Sequence, residues 1–260
     1  MRFLFLGDVV GQPGLNLVRK AVPLIRQREH LDVILANAEN TSNGTGLAPR
    51  DYKLLRAAGV DGLTMGDHIY KKYELADTLR DEREPICKPA NYPAEAPGRD
   101  HVVIMVNGIR VLLVSLLGRT FLRPVDCPFA AVDRVLKQVK ADVTIVDMHA
   151  EATADKYLMF HHLMGRVAAV LGTHTHVPTA DEQIRNGTAF QCDVGMCGPF
   201  DSILGRRVDR VLQTAINFTP ASFDVASGDV RLSGVIVDVD SRTGKATGIE
   251  RVCYRETEFG

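Results

Sequence analysis

Short apolar runs, each closed by a small or polar residue and followed by a stretch of helical periodicity, recur along the first part of the chain. Phe3 to Leu6 is the first such run and ends in Gly7-Asp8. Leu15, Val18, Val22 and Ile25 then return at helical spacing, so Gly14 to Arg28 reads as an amphipathic helix. Val33 to Ala36 is the next buried run. Pro49 opens a second helix to about Ala58, Gly62 to Met65 is a third run, and a helix follows near Tyr73 to Arg80. Apolar strands alternating with helices imply a parallel sheet covered by those helices.

Beyond Pro97 the pattern changes. Val102 to Val106 and Ile109 to Val114 flank Asn107-Gly108, the strongest short-range signal for a hairpin turn. Pro128 to Lys140 reads as a helix. Val143 to Val146 and Val167 to Leu171 read as buried strands on either side of a helix near Ala154 to Met164. Asn186-Gly187 predicts a second hairpin. From Thr214 onward the chain reads as strand-rich, with Val235-Ile236-Val237 prominent and Ser241 to Gly244 as a turn. The stretch Pro85 to Pro97 reads as an ordered surface loop. With no internal repeat or linker, the expectation is one α/β domain over residues 1–260 with two sheets.

Lys plus Arg total 31 against 32 Asp plus Glu, a balance that argues against a protein coating duplex DNA through a basic surface. It gives no reason to expect an anionic membrane either, and no apolar run approaches the roughly 20 residues of a membrane span. Cys87, Cys127, Cys192, Cys197 and Cys253 include no CxxC pair, so neither a disulfide framework nor a cysteine-based zinc site is expected. A reducing cytoplasm fits best. Met1 to Asp8 is too short and too soon charged to read as a signal peptide.

The residues closing the apolar runs carry the chemistry. Asp8 follows the first run, Glu39-Asn40 the second, and Asp67-His68 the third; Asp147-Met148-His149 and Gly172-Thr173-His174-Thr175-His176 follow two later ones. In open α/β sheets, ligands bind off the carboxyl ends of the strands. Taken alone, an Asp after a strand is usually a cap or turn residue, and a lone His usually packs or hydrogen-bonds. Five such loops on one predicted edge are not independent accidents. His174-Thr175-His176 also puts two imidazoles on one face of an extended segment. The pattern predicts a metal site. Mixed carboxylate, amide and imidazole donors suit Fe, Mn or Zn better than Ca²⁺ or Mg²⁺. The donors are too many for one catalytic ion with an open position and match two ions sharing a carboxylate.

These motifs, in this order, resemble those of the calcineurin-like metallophosphoesterases. Gly7-Asp8-Val9-Val10-Gly11, Ala38-Glu39-Asn40, Lys88-Pro89-Ala90-Asn91-Tyr92, His149-Ala150-Glu151-Ala152-Thr153 and Asp193-Val194-Gly195-Met196 resemble the YmdB-like bacterial branch, over essentially the whole chain. The resemblance implies a four-layer α/β/β/α sandwich with two mixed sheets. It implies hydrolysis of small cyclic nucleotides, notably 2′,3′-cyclic ones, by a metal-dependent phosphoric diester hydrolase, and a homo-oligomer. Residue by residue, it implies that Asp8, Glu39, Asn40 and His176 bind one ion. Glu39, Asp67, His149 and His174 would bind the other, with Glu39 bridging. A hydroxide held between the ions would attack phosphorus, and His68 would protonate the leaving oxygen. Fe or Mn is expected, with Zn as the alternative.

Two departures stand out. Most metallophosphoesterases begin Asp-x-His, whereas Asp8 is followed by Val9-Val10; Asn40 would replace the missing imidazole, and Glu39 replaces the usual bridging Asp, both as in the YmdB-like branch. Asp67 stands where Gly-Asn-His is common. With Asn, two divalent ions, Asp8, Glu39 and a hydroxide would carry one net positive charge; with ionised Asp67 they would carry none. The expectation is that Asp67 favours a more highly charged pair such as Fe(III)/Fe(II).

Other motifs stay open. Gly11-Gln12-Pro13-Gly14 reads as a tight turn before a helix or as an anion-binding helix start. Asn43-Gly44-Thr45-Gly46 reads as a candidate loop beside a substrate. Glu151 reads equally as a helix cap or as a residue orienting a ligand. Arg119 reads as a phosphate contact or a surface salt bridge. His161-His162 reads as a packing or solvated pair. Competing functions are a phosphomonoesterase or RNA nuclease on the same fold, and a regulatory metal- or nucleotide-binding protein with little turnover.

Overall fold

The computed structural model describes the chain from Met1 to Gly260. In chain order its first part comprises β1 (Arg2–Leu6), β2 (Asp8–Val9), α1 (Gly11–Arg28), β3 (Val33–Asn37), α2 (Pro49–Ala57), β4 (Gly62–Thr64), α3 (Ala76–Arg80) and β5 (Ile86–Cys87). There follow β6 (His101–Val106), β7 (Ile109–Leu117), α4 (Pro128–Gln138), β8 (Val143–His149), α5 (Thr153–Leu163) and β9 (Ala169–Thr173). The last part is β10 (Gln183–Arg185), β11 (Thr188–Gln191), β12 (Met196–Asp201), α6 (Val208–Asn217), β13 (Gly228–Asp240) and β14 (Lys245–Arg255).

Two mixed sheets result. In the first, β1, β3, β4 and β5 run parallel. The long β13 takes β1 on its Gly234–Asp238 half and β12 nearer its start, both antiparallel, while β14 covers its other edge. The short β2 pairs with β12. The second sheet runs β10-β11-β9-β8-β7-β6, parallel in its middle and closed by an antiparallel hairpin at each end.

The two-residue period of each strand explains the layering. Phe3, Phe5, Val33 and Leu35 pack against Val111, Leu113, Ile145 and Leu171 in a core between the sheets. Their neighbours Leu4, Leu6, Ile34 and Ala36 turn the other way, onto Leu15, Val18, Val22 and Ile25 of α1. On the far side, Leu112, Val114 and Val146 meet Val132 and Val135 of α4 and Met159 and Phe160 of α5. The order is helix, sheet, sheet, helix, as the resemblance implied. Both faces of these strands are covered, which is why they are apolar throughout.

Two local readings are corrected. The segment from Thr214 is not strand from its start: α6 runs Val208–Asn217 and the next strand begins only at Gly228. Val208, Val211, Leu212, Ala215 and Ile216 do recur at helical spacing, but none is buried, so α6 is an amphipathic helix whose apolar stripe meets no core. Pro85 to Pro97 is not simply a surface loop. It begins with buried β5, and Lys88, Ala90, Asn91 and Tyr92 are buried as well, with Lys88 Nζ donating to the carbonyls of Pro93 and Ala96 at 2.9 and 2.6 Å.

Candidate metal centre

The parallel strands of both sheets point their carboxyl ends at one place. Asp8 arrives from just after β1, Glu39-Asn40 from after β3, and Asp67-His68 from after β4. His149 ends β8, and His174 and His176 follow β9. The structure brings all eight of these side chains together. Ligand atoms of Glu39, Asp67, His149 and His174 lie within 4.8 Å of one another. His149 Nε2 is 3.1 Å from Glu39 Oε1 and 3.3 Å from Asp67 Oδ1, and His174 Nδ1 is 3.1 Å from His149 Nε2. On the adjoining side His176 Nε2 stands 3.6 Å from Asp8 Oδ1 and 3.2 Å from Asn40 Nδ2, which in turn is 3.4 Å from Glu39 Oε1. Glu39 therefore touches both halves. His68 Nδ1 sits 2.7 Å from Asn40 Oδ1, at the edge of the group.

The packing is tight enough to dictate residue type. A Cβ at Gly66 would run into the His149 ring and the Glu39 carboxylate, so only glycine fits ahead of Asp67-His68. His174 and His176 have φ of 94° and 63°, in the left-handed region that ordinary side chains avoid. Such strain costs roughly 1–3 kcal/mol per residue and persists only where surroundings over-determine it. Here Asp8 Oδ2 accepts the His174 N–H at 3.1 Å, and buried Asp193 accepts both the N–H and the hydroxyl of Thr175 at 3.1 and 2.6 Å.

Each imidazole has its outer nitrogen occupied and its inner nitrogen turned to the centre. His149 Nδ1 bonds Thr173 Oγ1 at 2.8 Å, and that hydroxyl donates to buried Asp147 at 2.6 Å. His176 Nδ1 donates to the Leu204 carbonyl at 3.0 Å. His174 Nε2 faces Glu151 Oε2 at 3.2 Å. Ties of this kind fix the tautomer and ring plane of a metal-binding histidine.

The electrostatics point the same way. Burial opposes charge on His149, but Glu39 and Asp67 beside it outweigh burial and hold its pKa well above the ordinary value. Burial also opposes ionisation of Asp8 and Asp67, yet His176 beside the first and His149 beside the second hold both carboxyls well below the usual range. Asp147, beneath the cluster, is pushed up to about 6 by burial. The carboxylates thus favour protons on His149 and His176, whereas burial and the neighbouring His149 lower the pKa of His174; a cation at this place would serve the carboxylates equally well. Asn40 fits the same test. Its Nδ2 faces Asp8, Glu39 and His176; a half-turn of the amide would present Oδ1 there instead and turn Nδ2 toward His68 Nδ1, which would then accept from it. The donor set suits a metal.

Glu151, left open between a cap and an orienting role, contacts His174. Arg119 is exposed and forms no salt bridge within the chain; its backbone N–H donates to Asp155 at 3.0 Å. His162 stacks edge-on against Phe129 and bonds Asp133, a packing role. Gly11-Gln12-Pro13-Gly14 forms the first turn of α1, where the Gly11 N–H donates to the Asn40 carbonyl. Sequence reasoning did not assign roles to Asn37, Thr64, Asp147, Thr173, Lys156 or Asp193, which lie directly behind the cluster. The one available signal was an acid, Asp147, inside the apolar run of β8.

The chain also matches known proteins along nearly its whole length. A family model described as "YmdB-like protein" matches residues 4–252. The chain belongs to the YmdB-like family. It is 40% identical over 98% of both chains to a protein of Bacillus subtilis (strain 168) named 2′,3′-cyclic-nucleotide 2′-phosphodiesterase. Among solved structures, a hypothetical protein from Thermus thermophilus superimposes with a TM-score of 0.93 at 41% identity, covering 98% of this chain and 99% of that one. A Mycoplasma pneumoniae protein described as a novel phosphatase superimposes with a TM-score of 0.92 at 32% identity, covering 98% and 93%.

Proposed function

We propose that this YmdB-like chain is a metal-dependent phosphodiesterase acting on small cyclic nucleotides, 2′,3′-cyclic ones above all. The observation that carries the reading is the convergence of Asp8, Glu39, Asn40, Asp67, His149, His174 and His176 on one point with His68 at its edge. It is joined by 40% identity, across 98% of both chains, to a protein named for that activity. Asp8, Glu39, Asn40 and His176 would hold one ion; Glu39, Asp67, His149 and His174 would hold the other. Fe or Mn suits these donors, with Zn as the alternative. Such a pair supplies an activated water and neutralises charge growing on the phosphoryl oxygens.

The rest falls to the protein's own groups. His68 is the most exposed imidazole of the cluster, and it borders the cavity beside the centre. Its Nδ1 is held by the Asn40 amide, and its Nε2, 3.7 Å from Asp67 Oδ2, is the nitrogen from which a proton would pass to the departing ribose oxygen. Glu39 Oε2 accepts the His68 backbone N–H at 2.8 Å, so the shared carboxylate also positions the acid.

Residues 1–260 would act as one unit, since donors come from both sheets and β13 pairs with β1. A cytoplasmic setting suits five free thiols. No helix is long and apolar enough to cross a membrane. A homo-oligomer is expected, and sedimentation of the purified chain tests it. The functional test loads the protein with Mn²⁺ or Fe²⁺ and compares 2′,3′-cyclic AMP, a bis-aryl phosphate and a mono-aryl phosphate. Turnover of both diesters ahead of the monoester is expected. Preference for the monoester would mark a phosphomonoesterase, and no turnover of any would leave a binding protein.

A further inference from the structure

Beside the cluster opens a cavity of about 260 Å³. Glu39, His68, His174 and His176 form one side of it, and Leu204, Val211 and Phe223 form much of the other. Leu204 and Phe223 remain 48% and 42% exposed, an apolar wall with nothing packed on it. That wall is nonetheless held in place. Arg206 donates to the carbonyls of Asn43 and Phe223 at 3.0 and 2.8 Å, to Thr45 Oγ1 at 2.7 Å and to the Gly44 carbonyl. The Leu204 carbonyl accepts from His176 Nδ1, so the segment that carries the apolar wall also orients a candidate ligand. All the hydrogen bonds of Arg206 go to neutral acceptors. Its guanidinium forms no salt bridge, and with Asp224 the acid that acts on it from a distance, it places a positive charge on the rim of a site whose substrate would be an anion.

We propose that this cavity is a nucleoside subsite: the phosphodiester lies at the cluster, and the base lies on Phe223 against Leu204 and Val211. The inference rests on the phosphodiesterase reading and names the part of the substrate that reading leaves free. The volume, about 260 Å³, lies just below the usual range for ligand sites, which starts at roughly 300 Å³, and suits one nucleoside rather than a larger ligand. An apolar wall with one aromatic ring recognises a base by its face. Every base has such a face, so the subsite distinguishes nucleotides from base-free diesters and discriminates little among bases.

The test compares 2′,3′-cyclic AMP with glycerol 1,2-cyclic phosphate, a five-membered cyclic diester without a base, on Mn²⁺-loaded protein. Phe223→Ala should raise KM for the nucleotide by roughly tenfold, in keeping with the loss of one base–aromatic contact. It should leave kcat within about twofold and leave the glycerol diester unaffected. Phe223→Trp should keep the wild-type KM. Because the chain has no Trp, this variant also reports binding directly: its fluorescence should be quenched by 3′-AMP and not by glycerol phosphate, with no turnover required. Equal losses on both substrates, no change on either, or an unquenched signal would overturn the subsite. A change in molecular mass without a change in KM would mark Phe223 as a contact between copies, also against it. Wild-type protein that cleaves the glycerol diester as efficiently as the nucleotide overturns the subsite alone; wild-type protein that cleaves neither overturns the phosphodiesterase reading with it.

Discussion

Replacing Lys156 by Met should separate the scaffold of the centre from its chemistry. Lys156 and Asp193 form a buried ion pair at 2.8 Å, each side chain only 1% exposed. The Asp193 carboxylate also accepts the Thr175 N–H and hydroxyl and the Gly195 N–H. Deleting one member of a buried pair leaves an uncompensated charge and costs about 3–5 kcal/mol. Three donors remain on Asp193, so the lower end, about 3 kcal/mol, is expected for Lys156→Met. At roughly 2–4 °C per kcal/mol for a chain of this size, that corresponds to a fall of about 6–12 °C in Tm. The comparison that isolates the pair is a double-mutant cycle in urea on metal-free protein. Lys156→Met with Asp193→Asn removes both charges, so it should cost less than the two single changes together, with a coupling of roughly 1–3 kcal/mol. The second readout is metal. Thr175 lies between His174 and His176 and is anchored by Asp193, so the Asp193→Asn arm of the cycle, which weakens that anchor, should weaken Mn²⁺ binding by roughly 10–100-fold, the usual effect of losing an outer support. Strictly additive costs together with unchanged metal affinity would refute the reasoning.

His68→Ala should keep both ions and lose about 10²–10⁴-fold in turnover; metal analysis beside kinetics checks it, and equal loss of metal would move His68 among the ligands. Native protein should carry a mixed-valence Fe(III)/Fe(II) pair visible by EPR, and Asp67→Asn should shift its preference toward divalent ions; fully active native protein holding only divalent ions would contradict this. Asp100 is held well below the usual carboxylate range by His101 and then by Arg134, at 2.6 Å each. A depressed carboxyl contributes in full above its unfolded pKa of about 3.9 and loses that contribution as pH falls through its lower folded value, so Asp100→Asn should destabilise at about pH 7 and the gap to wild type should narrow progressively below about pH 4. Urea midpoints across that range measure it.

What the sequence made legible was what residue type and period can encode. Phe3 to Leu6 and Val33 to Ala36 are apolar at every position because both strand faces are covered, and each is followed within three residues by a donor, Asp8 and Glu39. The donors could be gathered on paper because parallel strands share a carboxyl edge. The supports behind them could not. Lys156 falls in the helix read near Ala154 to Met164 and Asp193 in the Asp193-Val194-Gly195-Met196 motif, and nothing in either predicts a buried pair. The group that fixes His176 is a backbone carbonyl, that of Leu204, and a carbonyl leaves no trace in residue type. For α6 the helical spacing was present in Val208, Leu212 and Ile216, but those residues pack on no core, so periodicity there had no tertiary counterpart. In Pro85 to Pro97, prolines and charges masked two residues of strand and a lysine satisfied entirely by carbonyls.

The division of donors between the sheets has an energetic consequence. Asp8, Glu39 and Asp67 come from one sheet and His149, His174 and His176 from the other, so neither sheet carries the cluster alone. The outer nitrogens are already tied to Thr173, Glu151 and Leu204, and the left-handed backbone at His174 and His176 is already held by Asp8 and Asp193. The ordering that a metal would otherwise impose has therefore been supplied by folding. What folding cannot supply is positive charge for three crowded carboxylates, a need met in part by a proton on His149. Metal binding should therefore release protons and stabilise the chain by RT ln(1 + [L]/Kd), about 4 kcal/mol at a thousandfold excess of ion over Kd. Calorimetric titration with Mn²⁺ in buffers of different ionisation enthalpy counts those protons. Binding without proton release would show that the imidazoles stand free of protons before the ion arrives, and that the carboxylates are balanced by something other than His149.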